Sequence, residues 1–191
     1  MERRDFLFMT AAALLGFRWV LPIARAWRYR LRVAEVRVEA PDVVSLTLRG
    51  RGLSRLPVAA GQFFLLRFLR KDRWWKAHPF SLSAAPDGRS LRFTIKALGD
   101  DTAALRHLPV GTRVMAEGPY GAFRTDRATR ESLVLIAGGI GIAPIRAILE
   151  GLDRPAGRVT VLYRTRRRED AVLLDEVAAL AAAKGYPLFV S

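Results

Sequence analysis

The stretch "LVLIAGGIGIAPIRAIL", residues 133–149, decides how this chain is read. Five apolar residues run into Gly138, Gly139 and Gly141, and Pro144 opens a second apolar run. An unbroken apolar run closed by glycines fits a strand buried on both faces of a parallel sheet. The run that follows fits a helix with Pro144 in its first turn, where a missing N–H costs nothing. Between the two, glycines bring bare backbone to a helix N-terminus, an arrangement suited to phosphate groups. The spacing is G-G-x-G-x-x-P, not the G-x-G-x-x-G of the dinucleotide fingerprint, so the turn alone does not fix its own role.

Downstream, the pattern continues in kind. "APIRAILEGL" (143–152) reads as a helix, "RVTVLYRT" (158–165) as a strand, and "AVLLDEVAALAAAKG" (171–185) as a second helix. "PLFVS" (187–191) reads as a third strand. This β-α-β-α-β order is half of a doubly wound sheet, in which ligands sit at the carboxyl ends of the strands. Here that end is the glycine turn.

Upstream, from Leu31, the period is two. "LRVAEVRVEA", "VVSLTLRG", "GQFFLLRFL", "FSLSAAP", "LRFTIKAL" and "TRVMAEG" are short alternating runs divided by Gly, Pro and Asp. Six such strands predict a closed or nearly closed antiparallel barrel. The expected units are residues 1–27, an apolar N-terminal helix; 28–127, the barrel; and 128–191, the partial α/β unit.

The 191 residues include no cysteine, so disulfides and thiolate metal sites are excluded. His78 and His107 are the only histidines, and no metal site is expected. The net charge is +14, from 32 basic and 18 acidic residues. Such a balance points to an anionic membrane surface, anionic small molecules or nucleic acid. No zinc finger, helix-turn-helix or aromatic ribonucleoprotein motif accompanies it, so nucleic acid is not expected as a partner.

"FLFMTAAALLGFRWVLPIA" (6–24) has one charge, Arg18, and is close to the length that crosses a bilayer. The basic, aromatic flank "RAWRYRLR" would hold its end on the cytoplasmic side. "RRDFL" (3–7) also resembles a twin-arginine export signal, with "ARA" (24–26) as its cleavage site. A buried or surface-lying helix is the third reading.

Two barrel segments offer chemistry. In "HPFSLS" (78–83), Pro79 removes a donor and places the strand at a rim or edge. Phe80 could stack on a flat ligand while Ser81 bonds to its edge; an ordinary edge strand with a core Phe fits equally. In "KALGDDTAALRHL" (96–108), Gly99 frees the backbone and Asp101 or Thr102 could cap a short helix. Its first turn, with Lys96 nearby, would suit an anion; a loop closed by a capped helix is the plainer alternative.

The order "HPFSLS", "IKALGDDT", "GPYGAF", "AGGIGIAP" resembles the ferredoxin–NADP reductase superfamily, in which an FAD-binding Greek-key barrel precedes a nicotinamide-binding α/β domain. The "HPFS" form resembles its ferric reductase and NADPH oxidase branch. The resemblance implies FAD and NADPH or NADH as cofactors, with electrons passing from NAD(P)H through FAD to a downstream acceptor. It implies Phe80 against the isoalloxazine and Ser81, the catalytic candidate, near N5. His78, with Pro79 beside it, would lie near the flavin phosphates. Lys96 and Thr102 would hold the FAD pyrophosphate, and Gly99 and Ser83 are further cofactor-binding candidates. Gly118, Pro119 and Tyr120 would line the gap between domains. Gly138, Gly139, Gly141 and Pro144 would form the NAD(P)H pyrophosphate turn.

Arg164, Arg166 and Arg167, after the second α/β strand, are cations of the kind a 2′-phosphate needs, and no acidic residue stands at that strand end. The expectation therefore leans toward NADPH. The resemblance also implies the cytoplasmic face of the cell inner membrane and a haem-bearing membrane partner, since residues 6–24 contain no histidine. Relatives of this kind extend further, so the chain is expected to be a fragment or short form of a transmembrane reductase. A membrane-tethered FAD-binding module without catalysis of its own is the alternative.

Overall fold

A computed structural model describes residues 28–70, 74–127 and 129–191, with residues 5, 8–10 and 16 before them. The expected N-terminal helix falls mostly outside the described residues. Among the described residues, no helix is long and apolar enough to cross a membrane.

The period-two runs form antiparallel strands: β1 (Arg32–Ala40), β2 (Val43–Arg49), β3 (Phe63–Phe68), β4 (His78–Ser81), β5 (Ser90–Lys96) and β6 (Val114–Tyr120). The alternation works as physical chemistry requires. Phe64, Leu66 and Phe68 of β3 turn inward with Leu91, Phe93 and Ile95 of β5, while Phe63, Leu65 and Arg67 face outward. The Phe64 and Phe93 rings meet edge to face at 6.0 Å in the centre of this core. A buried hydroxyl pair, Ser45 and Thr94, is satisfied internally at 2.8 Å.

These strands make two three-stranded sheets, β1-β2-β5 and β4-β3-β6. A single bridge joins them on each side, Leu82 to Phe93 and Arg32 to Arg113. The expected closed or nearly closed barrel is a pair of sheets touching at their edges, in the ring order β1-β2-β5-β4-β3-β6. The reason is local. β4 is four residues long and carries Pro79, which has no N–H to give a ladder, so pairing with β5 stops at one bridge.

The C-terminal half follows the sequence reading closely. Strands β7 (Leu133–Gly138), β8 (Val159–Arg164) and β9 (Leu188–Val190) form a parallel sheet in that order. A first long helix, Ile142–Gly151, and a second, Leu174–Lys184, cover one face, with Leu135, Ala137, Val161 and Tyr163 buried beneath them. Burial pushes the Tyr163 hydroxyl up to about 12, and it donates to the Val172 carbonyl at 3.1 Å. The other face is open: Ile136 is 69% and Phe189 60% exposed, with half-buried Leu162 in register between them. A strand expected to be buried on both faces is thus buried on one.

Gly61 stands where the halves meet. Its φ of +90° is left-handed, and a Cβ there would come within 2.9 Å of Ile148 on the first long helix and collide with the Phe123 carbonyl. Gly138, by contrast, has an extended φ of −123° and open space around it. Gly61→Ala is expected to cost about 2 kcal/mol or more in urea unfolding, and Gly138→Ala less than about 0.5 kcal/mol.

Candidate functional site

β4 is the edge strand of its sheet. Its register on β3 sets Ser81 opposite Phe63, Phe80 opposite Phe64, and His78 opposite Leu66. Phe63 also pairs with Tyr120 of β6. Ser81, Phe63 and Tyr120 therefore lie in one row across the outer face, and the Phe63 and Tyr120 rings are 5.7 Å apart. The Tyr120 hydroxyl donates to Glu117 at 2.6 Å, and Arg67 donates to the other oxygen of that carboxylate at 3.3 Å. Gly118 is a glycine of necessity: φ is +144°, and a Cβ would press on the Phe64 ring at 2.9 Å. Phe80 is half-buried and packs partly on the core, and its ring stacks with His78 at 6.1 Å and 27°. The aromatic edge is therefore a shared feature of core and rim, not a free-standing platform.

At the other end of β4, Lys76 Nζ lies 2.7 Å and His78 Nε2 3.9 Å from Asp101 Oδ2. These three residues, with Phe68 and Arg70, line a cavity of about 110 Å³. Thr102 sits in the short α-helix Asp100–Ala103. Neither Asp101 nor Thr102 caps that helix, because Gly99 occupies the cap position. Thr102 Oγ1 instead accepts from the Leu98 N–H at 2.8 Å and donates to the Gly99 carbonyl at 3.0 Å, so it closes the loop with its own backbone. Lys96 pairs with Asp42 at 3.2 Å in an exposed contact, which holds it only weakly. Ser83 departs furthest from expectation. It is fully enclosed at 0% exposure, and its hydroxyl has no partner. It belongs to the junction between halves rather than to a ligand face.

The glycine turn lies between β7 and the first long helix. Gly138 ends β7, Gly139 has a left-handed φ of +49°, and a tight turn through Gly141 leads into the helix at Ile142. A Cβ at any of the three would meet nothing within 4 Å, so bare backbone borders open space. Pro144 lies in the first helical turn. The β7–β8 register places Arg164 directly beside Gly138. Arg164 and Arg166 are exposed, and neither has an ion-pair partner among the described residues. Arg167 is drawn to Glu169 at 3.4 Å.

A charge network joins rim and turn. Arg92 of β5 donates to Glu176 on the second long helix at 2.7 and 2.9 Å, and to Glu39 of β1 at 3.0 Å. Buried Arg146, on the first long helix, donates to Glu176 at 2.6 Å and to Glu150 at 2.8 Å. It also donates to the Ser83 carbonyl at 2.9 Å. Glu150 in turn accepts from the Ala85 N–H at 2.6 Å. The chain just beyond β4 is thus tied to the helix that springs from the glycine turn. The Arg92 hydrogen bond, aided by the charges of Arg92 and Arg146 and opposed by partial burial, holds the Glu176 carboxyl down at about 2. None of Arg92, Arg146, Glu150 and Glu176 is among the residues singled out from sequence. The only trace there is an arginine on the apolar side of "APIRAILEGL".

Residues 28–124 match the FAD-binding domain family. The chain belongs to the ferredoxin–NADP reductase superfamily. Within this superfamily it is 31% identical over 159 residues to the toluate 1,2-dioxygenase electron transfer component of Pseudomonas putida, covering 81% of this chain and 46% of that protein. It is 30% identical over 148 residues to NADPH oxidase 3 of Homo sapiens, covering 68% and 24%. Among solved structures, the flavohem-like FAD/NAD-binding domain of nitric oxide dioxygenase from Vibrio cholerae superposes with a TM-score of 0.72 at 27% identity, over 85% of this chain and 73% of that one. The chain spans less than half the length of the first curated relatives it matches.

The depressed Glu176 value fixes a pH signature. Its stabilising contribution is complete above its ordinary 4.5 and is lost as pH falls toward about 2. Glu176→Gln is expected to lower stability at neutral pH by about 2 kcal/mol. It should also flatten the loss of stability between pH 4.5 and 2, read by urea midpoints across that range.

Proposed function

We propose that this chain is a ferric-reductase-like flavin oxidoreductase, carrying electrons from NAD(P)H through FAD to a downstream acceptor. One observation carries the reading: the Ser81 rim and the Gly138–Gly141 turn are held in one rigid relation by Arg146 and Glu150. FAD, when bound, supplies acceptance of two electrons and their release one at a time. The rest is positioning by the chain's own groups. Ser81, half-buried on the outer row, offers a hydroxyl at the rim. Lys76, paired with Asp101, and the His78 imidazole line the cavity below it. The open glycine backbone and the unpaired Arg164 and Arg166 suit a nicotinamide nucleotide with a 2′-phosphate, hence NADPH over NADH. No proton transfer to a side chain is needed for a hydride step.

A second reading, an FAD-binding module completed by a partner chain and without turnover of its own, is favoured by the open face at Ile136 and Phe189. In either case we place the chain at the cytoplasmic side of the cell inner membrane, and under the first reading a haem-bearing membrane partner is the acceptor. The apolar segment 6–24 and its basic flank support that placement.

Anaerobic mixing of FAD-loaded protein with NADPH and NADH separates the readings. The first predicts bleaching of the flavin, faster with NADPH; the second predicts none with either. Ser81→Ala is expected to slow bleaching about tenfold with FAD still bound, the loss of roughly one hydrogen bond. Arg164→Ala with Arg166→Ala should erase the preference for NADPH while sparing NADH; equal loss with both would contradict the 2′-phosphate role.

A further inference from the structure

Arginines crowd the end of the β half where the chain enters from residue 28. Arg32 of β1 pairs with Arg49 of β2 on one side and bridges to Arg113 at the edge of β6 on the other. Three arginines therefore stand in one row across three strands. Like charges directly opposite one another destabilise a sheet, and among the described residues no carboxylate pairs with them. Arg30, Arg32, Arg49, Arg51 and Arg113 are exposed, and none has an ion-pair partner among the described residues. Elsewhere the charge is handled differently: Arg92, Arg146 and Arg67 are each matched to glutamates. Arg32 is partly fixed by its bond to the Gly111 carbonyl at 3.1 Å, and Arg51 N–H is bonded to the Tyr29 carbonyl at 2.7 Å. The cluster is thus built into the fold and not left on a loose tail.

Its floor is apolar. Arg30, Arg32 and Arg113 rim a cavity of about 350 Å³ whose base is Leu31, Leu69, Val114 and Met115. A second cavity of about 390 Å³ shares Arg30 and Arg32 and adds Arg49, Arg51 and Val110, which is 67% exposed. Cationic rims over apolar floors suit a ligand with an anionic head and an apolar body. A polynucleotide or an acidic protein surface would satisfy the arginines but leave the floors empty. The apolar segment 6–24 ends a few residues before this surface begins.

We propose that this end of the β half binds the anionic phospholipid headgroups of a membrane surface, with Arg32, Arg49 and Arg113 as the central cations. The proposal deepens the membrane placement above, and the test tells the two apart. The full-length, FAD-loaded chain is sedimented with phosphatidylcholine vesicles, with and without phosphatidylglycerol, over a range of salt. Partitioning should be stronger on the anionic vesicles and should fall as salt rises. Arg32→Gln, Arg49→Gln and Arg113→Gln together should weaken binding to anionic vesicles by roughly two orders of magnitude. Binding to neutral vesicles and the flavin spectrum should not change. Should the triple variant not fold, Arg49→Gln with Arg51→Gln is expected to show a smaller loss of the same kind. Equal binding to both vesicle types would overturn the headgroup site while leaving a membrane segment in place. Failure to bind either would overturn both. Release from anionic vesicles by a soluble polyanion, with tight capture of that polyanion by the wild type and the variants alike, would also overturn it.

Discussion

The arrangement rests on one buried arginine. Arg146 lies on a helix that is otherwise apolar where it meets the sheet, and its guanidinium is turned to the junction between halves. Burying an uncompensated guanidinium would be prohibitive. The fold answers with Glu150, Glu176 and the Ser83 carbonyl, and Arg92 closes the ring from the β side. Because each of these groups satisfies another, no member can drift without leaving a charge unpaired. That requirement fixes the segment after β4 against the helix that begins at the glycine turn. Two features far apart in sequence, the segment after β4 and the glycine turn, are thereby held in register.

Under the proposed function such a junction would matter because hydride transfer needs donor and acceptor at contact distance, and positioning of that kind is what a protein adds to cofactor chemistry. The open face of the parallel sheet is a different matter. Val134, Ile136 and Phe189 are surface-exposed where a doubly wound sheet ordinarily carries helices. The β half, by contrast, has its own enclosed core around Phe64 and Phe93.

Most strands and both long helices are legible in sequence because period two and the buried apolar run report local geometry directly. The glycine turn is legible for the same reason: backbone freedom and Pro144 are local facts. What is not legible is whatever depends on contacts across long separations. Arg92 and Glu176 are 84 residues apart, and nothing local marks either as a partner. The same holds for Ser83, which shares a motif with Ser81 but points its fate inward, and for Thr102, whose hydroxyl is spent on Leu98 and Gly99. On the β4 side the barrel stays open because of Pro79, an edge signal legible in sequence, whose effect on pairing with β5 depends on which neighbour its missing N–H would face.

The central claim is that the rim between β4 and the glycine turn is a site for FAD. Calorimetric titration of the folded chain with FAD tests it most directly. The account predicts saturable binding of one FAD per chain, weakened when His78 and Lys76 are both replaced by alanine. Absence of any binding heat from protein shown to be folded by its cooperative unfolding would contradict it.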